Sequence, residues 1–193
     1  MKTTKKIILE KAAHHFALNG YEEFSIRTLA KEIPIAPSVL YHHFADKDAL
    51  LKQMYLSLNK SLGEKRVALA PTKSASDMLR QRIEFQLDNE EAIVAVLKYY
   101  LSYRKFFKKF KGGFVPDKSS LHIEEVLIRG EKTGEFKIDN LTDDAKVITH
   151  CINGFLLEYY PYIPKGQEKI QLVEKIHTFL IRALKGGDNN ETV

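Results

Sequence analysis

The segment Ser25–Phe44, SIRTLAKEIPIAPSVLYHHF, constrains this chain more than any other. Ser25 stands before Ile26, Leu29 and Ala30, with Ile33 one turn further on and Pro34 closing the run. A hydroxyl can satisfy a free N–H of a first helical turn and a proline cannot continue the ladder, so this spacing predicts a short helix with Ser25 as its N-cap. Pro37, a favoured first helical residue, opens a second short helix carrying Val39, Leu40, Tyr41 and His42. Two short helices joined by the tight connection Pro34–Ala36 have the shape of a helix-turn-helix. In that motif the first helix braces across a nucleic-acid backbone and the second is short enough to enter a major groove. Leu29, Ala30, Ile33, Leu40 and Phe44 would pack the pair against the preceding stripe of Ile8, Ala12 and Phe16, leaving Ser38, Tyr41, His42 and His43 outward.

The rest of the chain reads as helices with short breakers, which predicts an all-α protein of about nine helices. The first runs from Thr4 to Asn19, with Gly20 as its stop. Asp46 caps a helix through Leu50, Leu51, Met54, Tyr55 and Leu58. Pro71 marks the clearest boundary, followed by helical periodicity over Ser76–Asp88, Glu90–Phe110 and Lys118–Thr133, the last broken by Gly134. Thr142 or Asp143 opens a helix through Ile148, Ile152, Leu156 and Tyr159. A final helix from about Gln167 to Lys185 turns Ile170, Val173, Ile176, Leu180 and Leu184 inward, and Gly186-Gly187 ends it before a flexible tail at 186–193.

Composition closes several function classes. Cys151 is the single cysteine of 193 residues, so neither an internal disulfide nor a cysteine-based zinc site can form. The adjacent pairs His14-His15 and His42-His43 diverge around a helix axis and chelate poorly, so no metal is expected. No P-loop, GxGxxG, GxSxG or HExxH occurs, and with no activated nucleophile in view neither a catalytic residue nor a cofactor is expected. No stretch reaches the roughly 18 apolar residues needed to span a bilayer, and the amino terminus lacks a signal-peptide core. A soluble, cytoplasmic protein is expected. The formal charge of +5 is compatible with a polyanionic partner. The basic excess is largest at Lys98–Lys118, at +6, against +3 for residues 1–60. That stretch reads either as a solvated face or as a contact for an anion.

The amino-terminal pattern resembles the TetR family, the tetracycline-repressor-like transcriptional regulators. The resemblance rests on Phe16-Ala17-Leu18-Asn19-Gly20-Tyr21, Phe24-Ser25-Ile26, Leu29-Ala30, Leu40-Tyr41-His42-His43-Phe44 and Asp46-Lys47-Asp48-Ala49-Leu50-Leu51. Gly134-Glu135-Phe136, Ala145 and Gly154-Phe155 are similar in arrangement to the family's regulatory part. Where the family usually has glycine, serine or threonine, and glycine, this chain has Pro34, Ala36 and Ser38. The resemblance implies that Tyr41 and Lys47 meet phosphates, that Ser25 and Thr28 contact the backbone, and that Ala36, Pro37, Ser38 and His42 lie nearest base edges. Lys2, Lys5 and Lys6 would reach flanking phosphates.

It further implies a helix-turn-helix DNA-binding domain at 1–62 and an effector-binding and dimerisation domain at 63–185. The expected molecule is a homodimeric repressor, joined through the helices near 143–160 and 167–185. It would be released from a palindromic double-stranded operator by an apolar or amphipathic small molecule. Tyr99, Tyr103, Phe107, Phe110, His150 and Phe155 are the expected effector lining, where aromatic bodies and a few polar tips converge. A second reading keeps the fold but assigns it to protein partners, with DNA affinity lost.

Overall fold

The computed structural model of the chain describes residues 4–33, 35–107 and 119–186. Among them are nine helices and no strand: α1 (Thr4–Glu23), α2 (Ile26–Glu32), α3 (Pro37–His43), α4 (Lys47–Val67), α5 (Ala75–Asp88), α6 (Glu90–Phe107), α7 (Ser119–Thr133), α8 (Leu141–Tyr159) and α9 (Gly166–Leu184). The all-α class and the number of helices are those that the periodicity predicts. The described helices group into two compact units, one of α1–α4 with α6 and one of α5 with α7–α9.

In the first unit, Ile8, Ala12, Ala13, Phe16 and Ala17 form the buried stripe of α1. Gly20 does not end this helix outright. It takes φ +73°, which glycine reaches without steric cost, and helical turns resume as far as Glu23 beyond the kink. Phe24 packs edge-on against Phe16 at 6.0 Å and against His15 at 5.4 Å, seating α2 on α1. Leu29, Ala30, Ile33, Leu40 and Phe44 are all buried, as their spacing predicts. Helix α4 opens at Asp46, whose Oδ1 accepts from Ala49 N at 2.7 Å, a cap worth about 1 kcal/mol. Helix α6 follows almost 90 residues into the chain yet packs on both α1 and α4.

In the second unit, α5 touches α7, α8 and α9. Glu135 carries much of its local order. Its carboxylate accepts from Ala75 N and Ser76 N at 2.9 and 3.1 Å, capping the start of α5 from the loop after α7. These backbone donors, the Ala75 N–H above all, hold the Glu135 carboxyl below the usual range. Phe136 folds back over Gly130, where an added Cβ would lie 2.0 Å from the Phe136 ring. Arg129 donates to the carbonyls of Thr72 and Lys73, both at 2.9 Å, and fixes the approach to α5. Helix α8 begins at Leu141, one or two residues before the start that the sequence suggests, and its N-cap Asn140 accepts from Asp143 N through Oδ1 at 3.1 Å.

Candidate nucleic-acid interface

Helix α3 is pinned by its inner face. Leu40 and Phe44 are buried, Val39 N donates to Ala36 O at 2.9 Å, and Phe44 N closes the helix on Leu40 O at 2.9 Å. With the inner face fixed, Ala36, Pro37, Ser38, Tyr41 and His42 are exposed together at the start and along the outer face. Tyr41 is 58% exposed, a large exposure for an aromatic ring on a helix this short. His42 packs edge-on against His43 at 5.5 Å, and His43 is half-buried rather than outward. On α2, Thr28 is exposed. Ser25 occupies the N-cap position with extended backbone, but its side chain makes no cap bond, and Ser25 O accepts from Leu29 N at 3.0 Å. Lys5 and Lys6 are exposed near the start of α1, with Lys5 Nζ 5.8 Å from the Phe44 ring centre. Lys2 and Pro34 lie outside the described residues.

Lys47 is the first residue of α4, where free N–H groups and the helix dipole favour an anion. Its ammonium donates to the Tyr21 carbonyl and lies 3.9 Å from the Tyr21 ring centre. Beside it, Asp48 Oδ1 accepts from the hydroxyls of Tyr21 at 3.0 Å and Tyr103 at 2.5 Å. Burial and the bond to Asp48 raise the pKa of both hydroxyls, so both stay protonated donors at neutral pH. Asp48 therefore ties the amino-terminal end of α4 to α1 and, through Tyr103, to α6. Sequence reasoning gave Asp48 no role: its partners are 27 and 55 residues away, and no local pattern signals them.

Of the residues expected to line an effector pocket, Tyr99 and Tyr103 lie in the first unit and His150 and Phe155 in the second. Tyr99 and Tyr103 stack on one another at 4.4 Å, and Tyr99 stacks on Tyr55 at 4.6 Å. Tyr99 is buried within the first unit, which pushes its hydroxyl up to about 12. His150 is exposed on α8, its Nδ1 bonded to Lys146 O at 2.6 Å, and Phe155 is part-exposed and stacked on Tyr159 at 6.2 Å. Phe107 is the last residue of α6, and Phe110 lies outside the described residues. Of the basic stretch, Lys98 is not a solvated charge. Its ammonium donates to Ala17 O at 2.5 Å and Leu18 O at 3.0 Å, carbonyls of α1 just before the kink at Gly20, and burial lowers its pKa. Residues 108–118 of that stretch lie outside the described residues.

One cluster in the second unit has the look of a nucleophile and its base. Ser76 Oγ lies 3.1 Å from His177 Nε2. Arg80 Nη2 faces His177 Nδ1 at 3.1 Å, and a guanidinium can only donate, so Nδ1 accepts and the proton is on Nε2. That proton points at Ser76 O, 3.0 Å away, so the ring has no lone pair to offer the serine hydroxyl. Among the described residues no three His, Cys, Asp or Glu side chains converge as metal ligands, and no helix is long and apolar enough to cross a membrane.

Comparison with known proteins agrees with this geometry. The family model for bacterial regulatory proteins of the tetR family matches residues 8–54, which contain the helix pair and the start of α4. The transcriptional regulator UidR of Escherichia coli K12 is 38% identical over 53 residues, 28% of this chain and 27% of UidR, so the match spans about a quarter of that relative's length. Solved structures extend the likeness to nearly the whole fold. A transcriptional regulator from Saccharomonospora viridis in complex with choline has a TM-score of 0.71 at 18% identity, covering 93% of this chain and 96% of that one. FadR from Bacillus subtilis, solved with stearoyl-CoA, has a TM-score of 0.67 at 16% identity, covering 92% and 97%. Identities this low speak for the fold alone. Residues 8–54 thus match the tetR family of bacterial regulatory proteins, and the nine described helices share the fold of solved transcriptional regulators.

Proposed function

We propose that this chain is a homodimeric transcriptional repressor that binds a two-fold symmetric DNA operator and is released from it by a small molecule. The observation that carries the reading is the two-sided character of α3: Leu40 and Phe44 anchor it while Ser38, Tyr41 and His42 stand exposed on a helix short enough for the major groove. Tyr41 and Lys47 position the protein on phosphates, with Ser25 and Thr28 on the backbone beside them. His42 and the residues Ala36–Ser38 read base edges. Lys47 then exchanges the Tyr21 carbonyl for a phosphate oxygen, a trade favoured by the full negative charge of the acceptor.

Residues 63–185 take the effector and form the dimer. Helices α8 and α9 support the dimer: Val147, Phe155, Ile170 and Phe179 are exposed apolar side chains, and Gly154 has open space above it for close helix approach. The Tyr103–Asp48 bond offers a route by which a displacement of α6 reaches Lys47. A ligand that favours one position of α6 shifts the population toward it, and the operator must weaken ligand binding by the same factor that the ligand weakens operator binding.

The test is selection of bound sequences from a random duplex library, followed by salt titrations on the selected site. The selected sites should be palindromic, with half-site centres about 34–36 Å apart or a multiple of that. Lys47→Ala should weaken binding to every sequence and reduce the salt slope by about one. His42→Ala should relax preference at one or two positions, at a cost of about 1–3 kcal/mol. Asymmetric sites, or a Lys47→Ala variant with unchanged affinity and salt slope, would overturn the reading.

A further inference from the structure

Arg82 lies on α5 in the second unit, and its side chain keeps only 11% of its surface exposed. Its Nε and Nη1 are buried and have no acceptor. The carboxylate oxygen Glu125 Oε2 on α7 is 3.7 Å from Nη2, beyond hydrogen-bonding distance, and Glu125 itself is 59% exposed. Loss of water presses the guanidinium's pKa down, with Glu125 only partly opposing. A buried cation with unmet donors is expensive, and side chains of this kind are ordinarily paired or hydrogen-bonded.

A second polar group without a partner stands on a different helix of the same unit. Thr149 on α8 is 3% exposed, and its Oγ1 has no partner. Helix α8 packs against both α5 and α7, the two helices that carry Arg82 and Glu125. Around these groups the helix faces are apolar: Leu79 and Phe85 lie one turn either side of Arg82, and Ala145 and Ile152 one turn either side of Thr149, all buried. Asn153, one turn on from Thr149, is a further buried polar side chain. A cation without acceptors and a hydroxyl without a partner, set among apolar surfaces, match a molecule that is negative at one end and apolar at the other. Arg is suited to that task, because its planar set of donors fits the oxygens of a carboxylate or phosphate.

We propose that Arg82 anchors the oxyanion head group of a small amphipathic ligand inside the second unit, with Thr149 as a second polar contact and the apolar part of the ligand among Leu79, Phe85 and Ile152. The inference rests on the reading of residues 63–185 as the effector-binding part and gives that effector a chemical class. Carboxylates and phosphate monoesters share the required chemistry.

The experiment uses the full chain and three probes that differ only in head group: octanoate, octyl phosphate and octanol. Calorimetric titration should give binding for one or both anions and none for octanol, and the anion that binds names the head group. Arg82→Met should weaken that binding at least tenfold. Without any probe the same variant should melt higher than the unmodified protein, by about 2–4 °C or more, because a buried charge with unmet donors has been replaced by an apolar side chain of similar length. A purely structural arginine would move the melting point the other way. Should Arg82→Met fail to fold, Arg82→Lys keeps the charge, loses the planar fork and should also bind the anion more weakly. Binding of octanol as tight as that of the anions, or anion binding unchanged in the variants, would overturn the proposal. So would absence of anion binding together with a lower melting point for Arg82→Met, since Arg82 would then be satisfied by Glu125 and water. Operator binding measured in parallel separates the two readings. A protein that binds a palindrome but no anion loses this inference alone, and one that binds anions through Arg82 but no DNA loses the repressor reading alone.

Discussion

His177 on α9 is a buried histidine whose neighbours fix its protonation. Arg80 donates to Nδ1, so a proton arriving there would meet a guanidinium and break the bond to α5. Burial, the largest cause, and Arg80 lower the pKa below the ordinary 6.5, while the Ser76 carbonyl, Glu174 and Asp77 oppose them. A histidine whose pKa is depressed by folding binds its proton more readily in the unfolded chain. Its contribution to stability is therefore complete above about pH 6.5 and is lost as pH falls through and below that value. Urea unfolding of the whole protein at pH 8, 7, 6 and 5 should show a loss of stability beginning near pH 6.5, with a shallower loss in His177→Gln. Identical pH slopes for the two proteins would mean that the ring does not link α5 to α9 in this way. Nothing near His177 in the sequence announces this role, because Ser76 and Arg80 stand 101 and 97 residues away.

At the scale of elements, the end of α7 shows what local pattern can and cannot convey. Gly134 as a helix stop is legible, and it takes φ +73° as such a stop requires. The function of the next two residues is not legible. Glu135 caps a helix that begins 60 residues earlier, and Phe136 lies on Gly130 so closely that no side chain fits between them. Gly130→Ala should force the buried Phe136 ring out of its place and cost about 1–3 kcal/mol, the range for overpacked cores. That corresponds to a fall in melting temperature of about 2–4 °C per kcal/mol for a chain of this size, readable by calorimetry. An unchanged melting temperature would mean that Phe136 repacks freely. The helix pair shows the opposite balance. Leu29, Ala30, Ile33, Leu40 and Phe44 follow a local period and need no distant partner to be recognised as core, so both the helices and the exposed set Ser38, Tyr41 and His42 could be read from spacing. Arg82 escaped the same method, since a charged residue between apolar ones on a helix reads as solvent-facing until the helices around it are known.

For the whole molecule, the open question in the sequence was which part of each apolar stripe faces the chain's own core. On α8 and α9 the stripes are too wide for one surface. Ile148, Ile152 and Leu156, with Val173, Ile176, Leu180 and Leu184, are buried within the chain. Val147 at 61%, Ile170 at 55% and Phe179 at 67% exposure are left over, and Ile170 in particular reads as inward from spacing alone. Periodicity records that a side chain is apolar and cannot say whether its cover comes from the same chain or from a second copy. If a second copy supplies it, Val147→Asp with Phe179→Asp should give a folded monomer in sedimentation at micromolar concentration. It should bind a full operator at least tenfold more weakly, with little change in thermal stability at low protein concentration. A double variant that still sediments as a dimer would place the subunit contact elsewhere. The same limit applies to α6: Tyr99 and Tyr103 could be read as an aromatic stripe, but not as the surface that α1 and α4 rest on.

The Lys98 cap has a consequence for the order in which this protein is made. The carbonyls of α1 before its kink are capped by a side chain that the ribosome adds 80 residues later, on a helix that also packs on α4. A nascent chain that has not yet reached Glu90 exposes the α6-facing sides of both helices, although every residue expected to touch DNA has already been synthesised. The stretch from 8 to 54 that matches the family model therefore does not include α6, the helix that packs on both α1 and α4. A fragment cut to it would carry the residues proposed to read bases and lack the helix that packs on α1 and α4, and during translation that packing is complete only after α5 has emerged.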